Sequence, residues 1–186
     1  MRGVVEYARS PAPDAVRPVE LFCNSARFLY GEDQLGTGVE AASWLRDHGL
    51  LAGERGPLTD EELGRLVRFR EALRDHLGRG EPERTSAVLN EFAAATLGAP
   101  RWNTDGSAQL SPVGATGVER LIGRLLATLF VAEVNGAAAR LKPCRSADCR
   151  WLYYDRSPAG TGAWCSMEIC GAREKMRAYR IRRAGR

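Results

Sequence analysis

Cys144-Arg145-Ser146-Ala147-Asp148-Cys149, then fifteen residues, then Cys165-Ser166-Met167-Glu168-Ile169-Cys170 is the stretch whose reading decides the fold. Four of the five cysteines fall in two matched C-x4-C pairs. Two loops that each turn two sulfurs toward one point suit a tetrahedral zinc ion, with Zn–S distances of about 2.3 Å. A four-sulfur shell leaves no position for water, so such a metal holds structure and does no chemistry. Two disulfides would use the same residues. The N-terminus, however, lacks the basic, apolar and small-residue order of a secretory signal, and a reducing compartment keeps thiols free. Unpaired core cysteines would have to fall by chance into two identical pairs within 27 positions. The C-x2-C spacing usual for a redox pair is absent. The predicted ligands are Cys144, Cys149, Cys165 and Cys170.

Around them, Trp151-Leu152-Tyr153-Tyr154-Asp155-Arg156-Ser157, Trp164-Cys165-Ser166-Met167 and Cys170-Gly171-Ala172-Arg173 resemble the CGNR zinc-finger family of bacterial proteins. The resemblance implies that these four cysteines hold zinc and that Arg173 is the signature arginine. Ala172 stands where the family has asparagine, and Gly162 and Ala163 stand where basic residues usually precede the Trp-Cys pair. Upstream, Leu21-Phe22-Cys23-Asn24-Ser25 and Ala41, Ser43, Trp44 and Leu45 resemble the ABATE domain that precedes the finger in this family. That domain is a largely helical module ascribed to stress-induced transcription regulators. The resemblance implies an ABATE-like domain over residues 1–140 and a CGNR-type finger over 141–186. Asn24 is the candidate ligand-binding position, with a helix-terminus hydrogen bond as its plainer role.

The composition, 44% apolar and 27% charged over 186 residues, is that of a globular chain with one sizeable domain and a small appended one. The longest apolar stretch, Leu125 to Val134, is interrupted by Glu133 and falls far short of the ~20 residues that span a bilayer. A cytoplasmic protein without membrane contact is expected. Charge is uneven. Residues 1–139 carry 15 basic and 19 acidic side chains, a net of −4. Residues 140–186 carry 12 basic and 4 acidic ones, a net of +8. A basic segment on an acidic body points to an anionic partner, with double-stranded DNA first. Because 25 of the 27 basic residues are arginine, their clustering says more than their number.

Residues 1–17, with Pro11 and Pro13, read as a loose leader or edge segment. Pro18 can open a helix in which Leu21, Phe22, Ser25, Phe28 and Leu29 follow at helical spacing, with Cys23 a small core residue. Gly31 to Gly38 is a polar loop. Thr37 and Glu40 then have capping-box spacing and start a short helix that Gly49 ends. His48, in its last turn, suits a capping role, and His76 is assigned the same. Thr59 and Glu62 form a second capping box, stapled by Leu58 and Leu63. The helix it opens places Leu63, Leu66, Val67, Leu73 and Leu77 on one face and Arg65, Arg68, Arg74 and Asp75 away from it, up to a stop at Gly78-Arg79-Gly80. Its interleaved acids mark it as a solvated amphipathic helix. A helix from Glu83 to Leu97 stops at Gly98, and Pro100 to Leu110 reads as a hairpin around Asp105-Gly106. The longest helix, Gly117 to Ala139, presents Val118, Leu121, Ile122, Leu125, Leu126, Leu129 and Phe130 as the central apolar face, and Pro143 halts the chain before the finger.

In the finger, Trp151 to Tyr154 is rich in strand formers and is expected to pair with the segment leading to Trp164, with residues 155–162 as the turn. Ser166 caps a helix to about Arg183. Helical projection places Ala172, Met176 and Tyr179 against the hairpin, Arg173, Arg177 and Arg180 on one rim, and Lys175, Arg182 and Arg186 on the other. The fold expected is mainly α: a helical N-terminal domain with a small β-hairpin, then a treble-clef or ribbon-like zinc finger built from a β-hairpin and a basic helix. The function expected is a zinc-containing, DNA-binding transcription regulator whose N-terminal domain binds a small-molecule effector or forms a homodimer. Its nucleic-acid contacts would be Arg173, Lys175, Arg177, Arg180, Arg182 and Arg183. A zinc-stabilised protein-interaction or small-molecule module is the alternative. No Ser/His/Asp set, Gly-rich phosphate loop or His-rich metal motif is present, so no enzyme is expected.

Overall fold

Three Thr-x-x-Glu segments fix where three of the helices begin. Thr37, Thr59 and Thr116 each accept the backbone N–H of the glutamate three residues on, at 3.2, 3.2 and 3.1 Å. Each bond satisfies one of the orphan donors of a helix start. The computed structural model describes residues 10–53, 56–78 and 80–184. Of the expected leader over residues 1–17, residues 1–9 lie outside them, as do the Arg79 of the helix stop and Arg186 on the basic rim. In chain order the elements are α1 (Arg17–Cys23), β1 (Ala26–Arg27), β2 (Glu32–Asp33), α2 (Gly38–Asp47), α3 (Asp60–Leu77), α4 (Pro82–Thr96), β3 (Leu97–Trp102), β4 (Ala108–Pro112), α5 (Gly117–Val134), β5 (Leu141–Pro143), β6 (Leu152–Tyr154) and α6 (Ala172–Ala184). The strands form three antiparallel pairs: β1–β2, β3–β4 and β5–β6. The architecture is mainly helical, as the sequence predicts.

One core runs through the bundle. It joins Val19 and Phe22 of α1, Ala41 and Leu45 of α2, Leu66, Phe69 and Leu73 of α3, and Leu121, Ile122 and Leu125 of α5. Burying each such leucine or phenylalanine is worth about 1.5–3 kcal/mol. Leu141 of β5 and Leu152 of β6 belong to the same core, so the first strands of the cysteine-bearing segment are built into the bundle wall.

Several elements differ from the expectation. The first helix ends at Cys23 instead of continuing through Leu29, because Ala26–Arg27 turns away to pair with Glu32–Asp33 around Gly31, which has φ 67°. Phe28 is left at the surface. The helix expected to stop at Gly98 ends at Thr96 and passes directly into β3. The hairpin β3–β4 does form around Asp105-Gly106, where the Asp105 carboxylate accepts the Ser107 N–H at 2.8 Å. Helix α5 ends at Val134, followed by Gly136 with φ 79° and a 3₁₀ turn over Ala137–Arg140. Phe130 is 52% exposed, and Ala132 takes its place on the inner face.

The largest departure is in α3. Arg74, expected away from the apolar face, is 1% exposed, and Arg70 is 2% exposed. The Arg70 guanidinium binds Asp33 through two parallel bonds of 2.6 and 2.7 Å and also donates to Glu71 at 2.8 Å and to Ser25 Oγ at 3.1 Å. Arg74 donates to Glu71 at 2.6 Å and to the Cys23 carbonyl, and stacks 4.8 Å above the Phe28 ring. Burial alone would push the Glu71 carboxyl up, but the bonds from Arg74 and Arg70 outweigh it and hold it below its ordinary value. The buried Arg70 is tolerated because the carboxylates of Asp33 and Glu71 both meet it; Arg74 has Glu71, the Cys23 carbonyl and the Phe28 ring, with its Nε left unbonded among the described residues. Its neighbour His76 does not cap α3. Its ring bonds the Glu133 carboxylate of α5. His48 does cap α2, with Nδ1 2.8 Å from the Trp44 carbonyl.

Candidate metal centre and nucleic-acid interface

The loop of the β5–β6 hairpin carries the first cysteine pair. Cys144 donates its N–H to the Trp151 carbonyl at 2.8 Å, and the Ser146 carbonyl accepts from the N–H groups of Cys149 and Arg150 at 2.9 and 3.2 Å. Arg150 closes the knuckle in the left-handed region, φ 49°. The second pair brackets the start of a single π turn, Met167–Gly171: Cys165 precedes its cap, Ser166, whose hydroxyl accepts from Ile169 at 3.2 Å, and Cys170 lies within it. Here the Ser166 carbonyl accepts from both Cys170 and Gly171 at 3.0 Å. The i→i+5 bond of a π turn absorbs one more residue than an α turn, which is how a C-x4-C pair faces one point.

All four thiols are buried, and their sulfurs lie within 4.8 Å of one another. Cys149–Cys165 and Cys165–Cys170 are 3.6 Å apart, too long for a disulfide and close to the ~3.8 Å edge of a zinc–sulfur tetrahedron. The donor set fits zinc electrostatically too. Hydrogen bonds from Cys149 and Cys165 pull the Cys144 thiol down to about 2, and hydrogen bonding to Cys144 and Cys149 pushes Cys165 up. Burial pushes Cys170 up to about 12. Four crowded sulfurs cannot all ionise unaided, and a divalent cation supplies the charge that lets them. Cys144, Cys149, Cys165 and Cys170 form a structural zinc site.

Strand β6 faces two ways. Leu152 enters the bundle core, while Tyr153 packs with the cysteines, Trp151, Trp164, Ile169 and Leu29. It pairs with β5, in the register Leu141↔Tyr154, and not with the segment leading to Trp164. In that segment the Ala163 carbonyl accepts the Arg145 N–H at 3.0 Å, and the Gly162 carbonyl accepts the Tyr153 hydroxyl at 2.7 Å. The turn between them closes on Asp155, which is fully buried. Its carboxylate accepts from Lys142 Nζ at 2.9 Å, Ser157 Oγ at 2.7 Å and the Gly162 N–H at 2.8 Å. Burial pushes this carboxyl up, but these donors prevail and hold it well below the carboxylate range. A Cβ at Gly162 would lie 2.8 Å from Asp155 Oδ1, so this position admits no side chain, basic or otherwise.

Asn24 does not spend its side chain on the helix terminus. Its Nδ2 donates to the Leu152 carbonyl and its Oδ1 accepts the Leu152 N–H, both at 2.8 Å, so the amide acts as a one-residue strand partner for β6. Arg150 makes a second link, with Nη2 2.6 Å from Asp75 and Nη1 3.4 Å from Glu71. Sequence reasoning missed both links, and an Asn at a helix end carries no mark of a partner 128 residues away. Arg70 was legible in part, because it lies four residues after Leu66 and three before Leu73 on the apolar face. Where bundle and finger meet, a cleft of about 810 Å³ is lined by Arg74, His76, Glu133, Lys142, Cys144 and Arg150, among others.

Helix α6 leaves the metal centre with none of its side chains buried. Its root is tied to the first knuckle: the buried Ser146 hydroxyl donates to Glu174 at 3.0 Å, and Arg173 lies 3.4 Å from Asp148. Beyond this, Lys175, Arg177, Arg180, Arg182 and Arg183 are exposed. Ala172, Met176 and Tyr179 do not pack on the hairpin as expected, since Met176 and Tyr179 are 52% and 50% exposed. The hairpin's inward face is already filled by the four thiols and the two tryptophans.

Compared with known proteins, residues 140–183 match the family described as CGNR zinc finger. Residues 8–142 match the family ABATE, described as "Putative stress-induced transcription regulator". None of the curated proteins compared with the chain matches it. Among the described residues no helix is long and apolar enough to cross a membrane.

Proposed function

Because the chain belongs to the ABATE family and ends in a CGNR zinc finger, we propose that it is a transcription regulator that binds double-stranded DNA through α6. The observation that carries this reading is a helix of 13 residues held only at its root by the zinc knuckle, with six basic side chains and one acidic one. A helix of that length is marginal in water without a partner. Arginine rims favour phosphate, because the planar guanidinium meets two oxygens at once. The contacts are Arg173, Lys175, Arg177, Arg180, Arg182 and Arg183, and zinc supplies no step beyond holding their scaffold.

The helical bundle then serves as the sensing or dimerising part in a cytoplasmic setting, with the cleft beside Cys144 as the place for a small-molecule effector. Purified zinc-loaded protein should shift duplex DNA at low salt. The slope of log affinity against log salt should reach about −5 if all six side chains neutralise phosphate. Chelation should abolish the shift. Absence of binding at low salt overturns the reading.

The exposure of Met176, Tyr179 and Ile181 favours a second reading, a zinc-held protein-interaction helix. Unchanged behaviour after joint replacement of Arg173, Arg177 and Arg180 by alanine would select it.

A further inference from the structure

The apolar residues of α6 are as informative as its arginines. At about 100° per residue, Ala172, Met176, Tyr179 and Arg183 fall in one stripe. Arg173, Arg177 and Arg180 flank it on one side, Lys175 and Arg182 on the other. Glu174 projects about opposite the stripe, and its carboxylate is bonded to the buried Ser146 of the knuckle. The side away from the stripe is therefore the side tied to the zinc loop, and the stripe faces outward.

Each flank extends over seven residue steps, about 10 Å along the helix axis. The helix with its side chains is about 10–12 Å across, which matches the ~12 Å width of the DNA major groove. Seated there, the two flanks meet the two phosphate walls, and Met176 and Tyr179 meet the floor. On the protein, Asp148 and Glu168 line a pocket at the root of the helix together with Ala172, Arg173 and Met176. Their charge repels phosphate at the helix root, so the contact centres on the helix from Met176 onward. A second copy of α6 is a poor occupant, because cations on both flanks and Arg183 in the seam would oppose one another. An apolar floor between cationic walls suits the one apolar group that the major groove displays, the C5 methyl of thymine.

We propose that Met176 and Tyr179 read thymine C5-methyl groups in the major groove, an inference that rests on the DNA-binding reading above. The test measures affinity of the full-length zinc-loaded protein for an A·T-rich duplex and for the same duplex with deoxyuridine in place of every thymidine. Removing methyls leaves every phosphate in place. The thymine duplex should bind about four-fold more tightly for each methyl buried, at an unchanged salt slope. The double variant Met176→Ala with Tyr179→Ala should bind both duplexes equally, also with the slope unchanged. Both side chains are exposed, so zinc content and circular dichroism should match the parent and show that folding is intact. Equal affinity of the parent for the two duplexes overturns the inference while leaving DNA binding standing. So does a thymine preference that survives in the double variant. Failure to bind either duplex at low salt, or binding only to anionic lipid vesicles, overturns the DNA reading and this inference with it.

Discussion

Helices α3 and α6 both carry arginines at close helical spacing, yet Arg70 and Arg74 are sealed inside the protein and Arg177 and Arg180 stand in solvent. What differs is the supply of carboxylates. The buried pair meets Asp33 and Glu71, and Arg74 also finds the Cys23 carbonyl, all within a packed wall. On α6 the sole acid, Glu174, is turned back to Ser146, and the acid that reaches Arg173 sits at the root. An arginine cluster therefore marks a binding surface only where the rest of the fold leaves its charge unanswered. Those inside have become structural, and those outside are free for a partner.

The widest separation between the two sets should come from the metal. Chelation removes a contribution on the order of 10 kcal/mol from the finger alone. Circular dichroism should show α6 melting, while Arg70 and Arg74 stay within a bundle that still unfolds cooperatively. Replacing Arg70 by alanine leaves Asp33 without its two-bond partner, while Glu71 keeps Arg74 and Arg150, and should cost about 3 kcal/mol in urea unfolding, without altering the salt slope of DNA binding. Intact stability would show that the buried network is not what holds α3 to β2.

Asp155→Asn should cost about 3 kcal/mol at neutral pH, because Lys142 keeps its charge and loses its partner. The pH dependence has a definite sign. The Asp155 carboxyl is held below its ordinary value in the folded protein, so its contribution is complete above about pH 4 and disappears as pH falls through the folded value. The Asp155→Asn variant should lack that part of the acid-induced loss. Asn24→Ala removes two hydrogen bonds to Leu152 and should cost about 2 kcal/mol, read as faster amide exchange in β6. The smallest effect is the sharpest contrast with Arg70. Arg177→Ala with Arg180→Ala should change stability by less than about 0.5 kcal/mol and yet flatten the salt slope by about 2.

The legible parts of the molecule are those encoded over a few residues. Thr37 with Glu40 and Thr59 with Glu62 name helix starts because cap and partner are three positions apart. The same box at Thr116 and Glu119 is not part of the sequence reading, which places the long helix from its apolar face alone. The cysteine quartet is legible because zinc geometry translates directly into spacing. The interior fate of Arg74, the exposure of Phe130 and the pairing of β6 with β5 depend on residues brought in from elsewhere in the chain. Projection of a single helix carries no information about Asp33 or Leu141. Projection does find the stripe of α6, but not its surroundings, because the thiols and tryptophans already fill the space it was expected to occupy.

The amide of Asn24 holding Leu152 also orders events in time. In a chain emerging from the ribosome α1 precedes the other helices described, but its terminal bond waits for a strand 128 residues later. Two leucines of the bundle core, Leu141 and Leu152, arrive in the same late stretch. Until then the nascent bundle has an open wall, and closing it coincides with delivery of the first cysteine pair. Metal capture then follows closely on completion of the helical core, once Cys165 and Cys170 arrive.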